Sequence, residues 1–477
     1  MRIDLHQTAI SFLLAATIVG GCLTTSSASV AVAGGLRVGT AAVKITPPNG
    51  TPMAGGYGRN ESQGVLDDLY AKAAILDDGH ASVALVACDV IGLTRSAVVE
   101  ARRIIAEKTG IPADHVMISA THTHTGPVVI GDSTLDDMTS GGSQLSKDFA
   151  EQLPKSIAQA VEQAHGRLMP ARISYAQQDE PGISFIRRFW MKDGTIGWNP
   201  GQLNPNIIRP IGTIDPQVNV VYAETADKKP ILTYVNFGMH ACTTGGSKIS
   251  ADFPASLASR LADYKGPEML TLYANGALGD VNHLDVQSSV GQTSPEEAKR
   301  LGTILSASVL KSYMRLKEVD DATLRTRSEL VRLPLRPYTE EELRTARDIA
   351  AGNGKKGTFL EQVKAFRVLD CAGQNGKPYE ADVQVFSLGR DIVWVALPCE
   401  PFAAMGRSVK TASQFRQTSV VGLANSGSGY VPDCSAYAEG QYEAVSTRYV
   451  QGTGEMLVAT AIRLLDELHR DASGGKK

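Results

Sequence analysis

The sequence predicts an α/β fold: one large domain of mixed and parallel strands flanked by helices, with its active site at the carboxyl ends of strands. Three observations carry this. Ser82–Cys88 (SVALVAC), the charged stretch 95–108 and Val116–Ala120 read as strand, helix and strand, a spacing that makes a βαβ unit with parallel strands. Apolar runs at 232–237, 269–273, 383–388, 392–397 and 420–424 are interspersed with helix-like stretches at 146–166, 295–316, 339–351 and 453–468. There is no internal repeat, and no linker is long enough to separate two globular units, although length alone would favour more than one domain.

In chain order, Arg2 precedes the apolar run 9–18, which is too short to span a bilayer, and Ala31-Val32-Ala33 offers a signal-cleavage site. Residues 1–33 are therefore expected to be a secretory signal, and the protein to be periplasmic, extracellular or lipid-anchored. Val19-Gly20-Gly21-Cys22 supports a rival: a lipobox whose Cys22 becomes a lipidated first residue and holds the chain at a membrane surface. The catalytic domain is expected over 34–470, beginning with a strand at 36–45, a turn at Pro47-Pro48-Asn49-Gly50 and a Gly-rich loop at 53–59. Residues 352–357 read as a surface loop and 471–477 as a disordered tail.

The 477 residues are 43% hydrophobic and 20% charged, with a net charge of -3. This is globular composition without the basic stripe of a nucleic-acid-binding surface. None of Cys88, Cys242, Cys371, Cys399 and Cys434 forms a C-x-x-C pair, so a thiolate zinc knuckle is not expected. Cys88 and Cys399 end apolar strands and are expected to be simply buried.

Two of the nine histidines stand in Thr121-His122-Thr123-His124-Thr125-Gly126-Pro127, directly after the strand Val116–Ala120. Side chains at i and i+2 of an extended chain point the same way, so two imidazoles here can bind a metal jointly, or one can bind while the other assists. The placement recurs. His240 closes the run 232–239, Glu400 closes 392–399, Tyr430 follows 420–424, Asp89 ends Ser82–Cys88, and Asp280 lies in Gly279-Asp280 after 269–273. Singly, each is more often a structural, capping or packing residue. Together they gather at the strand ends where functional groups of α/β sheets collect. Imidazole and carboxylate are zinc ligands, and zinc lowers the pKa of a bound water to about 7. H-E-x-x-H and G-x-S-x-G are absent, against a helix-borne zinc site and a serine hydrolase. Gly427-Ser428-Gly429 lacks the Lys-Ser or Lys-Thr of a phosphate loop.

From about Leu36 to about Leu468 the chain resembles the catalytic domain of the neutral, non-lysosomal ceramidases. The resemblance rests on Val38-Gly39-Thr40 with Ile45-Thr46-Pro47, the segment 121–127, the strand ending at His240, Asn275 to Asn282, Pro398 to Pro401, and Tyr430-Val431 with Tyr442-Glu443. It implies a zinc ion held by His122, His240, Glu400 and Tyr430, with His124 assisting beside it. Arg187, with Arg188 adjacent, and Tyr442 complete the implied catalytic set. The implied reaction is hydrolysis of the N-acyl bond of ceramide or a related lipid by a zinc-activated water. Tyr442 or Arg187 would stabilise the oxyanion, and His124 or Asp280 would act as base. Two departures stand out: Asp280 occupies a loop where ceramidases carry a serine, and the β-rich C-terminal domain of full-length ceramidases has no counterpart in this sequence. Asp280 is expected near the zinc, as general base or orienting His124, against the plainer reading of a turn residue. A zinc hydrolase of other amides or esters, such as acylated sugars, and a non-catalytic exported binding protein are the alternatives.

Overall fold

In the computed structural model, residues 35–131, 133–352 and 357–474 are described. The signal or lipobox segment 1–33, the core of the loop expected at 352–357 and the last three residues lie outside them. The five-residue strand Val116–Ala120 (β4) pairs in parallel with Ser82–Cys88 (β3) across the helix Arg95–Thr109 (α1), the unit expected from sequence. Antiparallel Tyr70–Asp77 (β2) and Arg37–Lys44 (β1) extend that sheet. α1 forms where it does because Thr94 accepts from Ala97 N–H at its start and Gly110 ends it in a left-handed conformation.

Two more large sheets, with three small ones of two or three strands, complete an α/β architecture among the described residues. One places Pro230–Phe237 parallel to Leu270–Asn275 and antiparallel to Gln217–Glu224, which in turn pairs with Arg172–Asp179. The other runs Leu324–Leu333, Tyr379–Leu388, Ile392–Ala396 and Gln417–Val421, the last two in parallel. Faces of all three sheets share one apolar core, with Leu85, Tyr234, Leu272, Phe386, Trp394 and Val421 among its members. Each sheet buries its other face against helices: α1 and Gln144–His165 on the first, Phe253–Lys265 and Pro295–Tyr313 on the second, Ala403–Ala412 and Thr453–Gly474 on the third.

Each sheet therefore contributes one parallel pair, and the loops leaving those pairs meet. Asn275 fastens them: its side-chain amide donates to Thr121 O and Met239 O, and its carbonyl oxygen accepts from Met239 N–H. The helix Thr453–Gly474 runs into the segment expected to be a loose tail. Leu324–Leu333 is not visible as a strand in the sequence because its middle is exposed and reads Arg-Ser-Glu.

Candidate metal centre

His122 lies two residues beyond β4 with φ +68°, a left-handed backbone that few non-glycine residues adopt. Its N–H donates to Val90 O at 3.0 Å, which fixes the bend. Thr123 makes a parallel bridge with Ala241, and His124 N–H donates to Ala241 O, so the two-histidine segment lies alongside His240. Glu400 and Tyr430 are direct partners in a two-stranded parallel ladder, with Glu400 N–H bonded to Gly429 O.

The ring geometry sets the tautomers. His122 Nδ1 is 2.6 Å from Ile91 O, His240 Nδ1 is 2.9 Å from Val281 O, and His124 Nδ1 is 3.2 Å from Gly55 O. A carbonyl only accepts, so each neutral ring carries its proton on Nδ1 and turns an Nε2 lone pair inward. His122 Nε2 lies 3.3 Å from His124 Nε2 and 3.4 Å from Glu400 Oε2. His240 Nε2 lies 3.3 Å from Glu400 Oε2 and 3.2 Å from the Tyr430 hydroxyl. With those tautomers no hydrogen lies between the rings and the carboxylate, and buried Glu400 Oε2 has no hydrogen-bond partner. His240 Nε2 has donors within reach in Tyr430 and Arg187, but the His122 and His124 lone pairs and the Glu400 carboxylate face one another in a buried place and repel, and a cation among them removes that repulsion. The imidazole and carboxylate donors suit zinc. Ligand atoms of His122, His124 and His240 all lie within 4.8 Å of one another, a group that can hold a metal ion.

Burial, with Arg187 next in effect, lowers the His240 pKa to about 3. Burial and the two neighbouring histidines hold His124 well below its ordinary value. Burial opposes charge on Glu400, but His122 and His240 outweigh it and keep the carboxyl well below its usual range. Burial and then Glu400 push the Tyr430 phenol well up. The resulting state at neutral pH, with neutral His124 and His240 and an ionised Glu400, is the form that ligates metals.

Arg187 meets the cluster at His240 and Tyr430. Its Nη1 is 3.3 Å from His240 Nε2, its Nη2 donates to Gly279 O at 2.6 Å, and its guanidinium lies 5.4 Å from the centre of the Tyr430 ring. Arg188 points away, to Glu439 and Gly440. Glu443 binds both arginines, at 2.7 Å to Arg187 Nε and 2.9 Å to Arg188 Nη1, and is wholly buried. Tyr442, beside it, has its hydroxyl 3.3 Å from that of Tyr57 in the Gly-rich loop, and its ring 4.6 Å from Trp198. A cavity of about 180 Å³ opens here, bordered by His122, His124, Glu400, Tyr430, Tyr442 and Tyr57.

Sequence reasoning gave no role to Glu443 or Tyr57. The signal for Glu443 was the adjacent pair Arg187-Arg188, which needs a buried counter-charge once folded. Asp280 departs from expectation. Its carboxylate accepts from Ala403 N–H at 2.7 Å, capping the helix Ala403–Ala412, whose own N-cap residue, Phe402, makes no side-chain cap. It does not line the cavity, and among the described residues it makes no hydrogen bond to His124. Its backbone carbonyl accepts from Arg187 N–H. Cys88 and Cys399 are buried, and all five described cysteines are free thiols.

Comparison with known proteins fits this geometry. Residues 36–188 match the family described as neutral/alkaline non-lysosomal ceramidase, N-terminal. That stretch holds His122, His124 and Arg187 but ends before His240, Glu400 and Tyr430. Neutral ceramidase A of Dictyostelium discoideum is 26% identical over 215 residues, 44% of this chain and 29% of that protein, so the match spans under a third of the relative's length. The crystal structure of neutral ceramidase from Pseudomonas aeruginosa superposes with a TM-score of 0.72 at 20% identity, over 92% of this chain and 75% of that one. A ceramidase complexed with C2 superposes with the same score and identity, over 92% and 76%. The fold is thus that of the neutral ceramidases, and the resemblance read from the sequence is borne out.

Proposed function

We propose that this chain is an exported zinc-dependent hydrolase that cleaves the N-acyl bond of ceramide or a related N-acyl lipid. The observation that supports it most is the convergence of His122 and His240 Nε2 on the Glu400 carboxylate, with His124 Nε2 3.3 Å from His122 Nε2. His122, His240, Glu400 and Tyr430 would hold the metal, which would supply Lewis acidity at the scissile carbonyl. The residues of the chain divide the remaining work. Neutral His124, its Nδ1 proton tied to Gly55 O, accepts a proton from the attacking water and returns it to the leaving amine. The Tyr442 hydroxyl donates to the carbonyl oxygen as it gains charge, and Arg187, held behind the cavity by Glu443 and Gly279 O, adds its positive charge beside His240 and Tyr430. A C–O bond forms, the C–N bond breaks, and a carboxylic acid and an amine leave.

The cavity is small beside the ~300–1,000 Å³ typical of ligand pockets. A two-chain lipid would place its amide there and leave most of its hydrocarbon outside, past the ring cluster of Trp198, Phe359 and Tyr442. The test is purified protein, with and without chelator, given short- and long-chain ceramides, N-acyl amino acids and acyl sugars. Chelator-sensitive release of amine from ceramide supports the reading. Turnover of acyl esters alone would replace it. Export is tested by mass spectrometry of the native N-terminus: loss of residues 1–33 indicates a cleaved signal, diacylglyceryl on Cys22 an anchor, and intact Met1 would refute export.

A further inference from the structure

We propose that the segment 199–211, a loop ending in the short strand Ile207–Pro210, and the loop 284–292 form a rigid tip that docks on a phospholipid bilayer beside the cavity mouth. The inference rests on the lipid-substrate reading above. The tip carries the apolar side chains Leu203, Ile208 and Val290, exposed by 61%, 59% and 65%, among the most exposed large hydrophobic residues described. Leu203 N–H donates to Val286 O at 2.7 Å and Gln202 Nε2 donates to Val290 O at 2.7 Å, which ties those two segments together, while Ile208 stands on the short strand Ile207–Pro210, paired antiparallel with Arg188–Met191. Asn204 Nδ2 to Pro200 O and Lys192 N–H to Asn206 O brace its base.

Leu203 adopts φ +50°. Asn or Gly would hold that backbone with less strain, and a polar side chain would suit water better. A leucine there is disfavoured on both counts in the free protein, and favoured once its side chain enters hydrocarbon.

The occupant follows from charge and position. The exposed cations of this face are Lys192 and Arg209, the latter over the Trp190 ring at 5.9 Å. Two carboxylates lie near: Asp193, engaged by Thr195 through both its N–H and its hydroxyl, and half-buried Asp285 in the second loop, which accepts from Gln287 N–H. Cations and an indole ringing an apolar tip match lipid phosphates above acyl chains. Both loops also grow out of the site. Asn199 N–H donates to Arg187 O, and Trp198 packs on Tyr442. The second loop begins just after Val281, whose carbonyl faces His240 Nδ1. Insertion here brings the cavity mouth to the interface, where an acyl chain can stay in the bilayer while its amide reaches the histidines.

The test is sedimentation with large unilamellar vesicles of phosphatidylcholine and phosphatidylglycerol at 3:1, using the full chain with Cys22→Ser so that no lipid anchor contributes. Leu203→Asn with Ile208→Asn should weaken partitioning roughly tenfold or more. The same variant should keep its thermal midpoint, because Asn tolerates the left-handed backbone, and its turnover of a soluble short-chain N-acyl substrate. Parent protein that ignores vesicles, or a variant that binds them like the parent, overturns the proposal. So does a parent dimer that this variant makes monomeric, which would assign the tip to a second copy. Vesicle binding lost in the variant, with no lipid hydrolysed even by the parent, would retain the docking surface and reject the catalytic reading.

Discussion

Arg187 and Glu443, 256 positions apart in the chain, form a buried ion pair at 2.7 Å, and the same carboxylate holds Arg188 through its other oxygen. Arg187 spends its other nitrogens on His240 and Gly279 O, so the pair fixes a cation beside the histidine cluster with no freedom to swing out. The two arginines then predict different phenotypes. Arg187→Lys keeps a charge but loses the fork, and should lower kcat on a soluble substrate by roughly 10²-fold while zinc stays bound. Arg188→Lys should lower the thermal midpoint and leave kcat within a few-fold. Equal kcat losses in both would remove Arg187 from its proposed role. Glu443→Gln should cost about 3–5 kcal/mol of stability, read from denaturant unfolding, because it leaves buried charge uncompensated.

Elemental analysis should find about one zinc per chain. His122→Ala and His240→Ala should each lose metal and activity together. His124→Ala should retain metal and lose roughly 10²–10⁴-fold in rate. Full zinc in both of the first two variants would dismantle the proposed ligand set.

Gly55 holds φ +99°, and a Cβ there would lie 2.5 Å from His124 O. Gly55→Ala must push against His124, the ring whose Nδ1 faces Gly55 O. Zinc should remain and kcat should fall by at least an order of magnitude if His124 moves the proton. Unchanged kcat in a folded variant would count against His124 as the base.

Burial raises Asp280 from 3.8 to about 6. Between these values the folded state keeps a proton that the unfolded state has lost. Stability from this group is therefore greatest below about pH 4 and falls as pH rises to about 6, by about 3 kcal/mol in all. Asp280→Asn retains an oxygen for Ala403 N–H and should flatten that fall. Thermal midpoints of parent and variant at pH 4 and pH 7 test this. Zinc content and kcat at pH 7 should match the parent, and a variant that is folded and zinc-loaded but inactive would restore Asp280 to the catalytic set.

The strands and helices with continuous apolar runs were legible because burial on both faces leaves nothing polar to interrupt them, as in Ser82–Cys88 and Ile392–Ala396. Exposed edges such as Leu324–Leu333 were not. In the site, the strand-end positions of His122, His240 and Glu400 could be read because each residue lies within two positions of the end of its apolar run. The direction of a side chain on a turn could not: Asp280 sits where a base was expected, but its carboxylate turns to a helix that begins 123 residues later. Glu443 was hidden for a similar reason, since its value comes from partners far away in the chain.

The meeting of three sheets at the histidine cluster has a consequence for assembly. His122, His240 and Glu400 arrive from three different sheets, so no local piece of chain can form the site early in folding. Contacts of such long sequence separation close late and slowly. Metal would then bind only when the whole domain is in place, and its affinity would stabilise that domain against global unfolding rather than any one segment. Free zinc added during refolding should therefore leave the folding rate nearly unchanged while slowing unfolding.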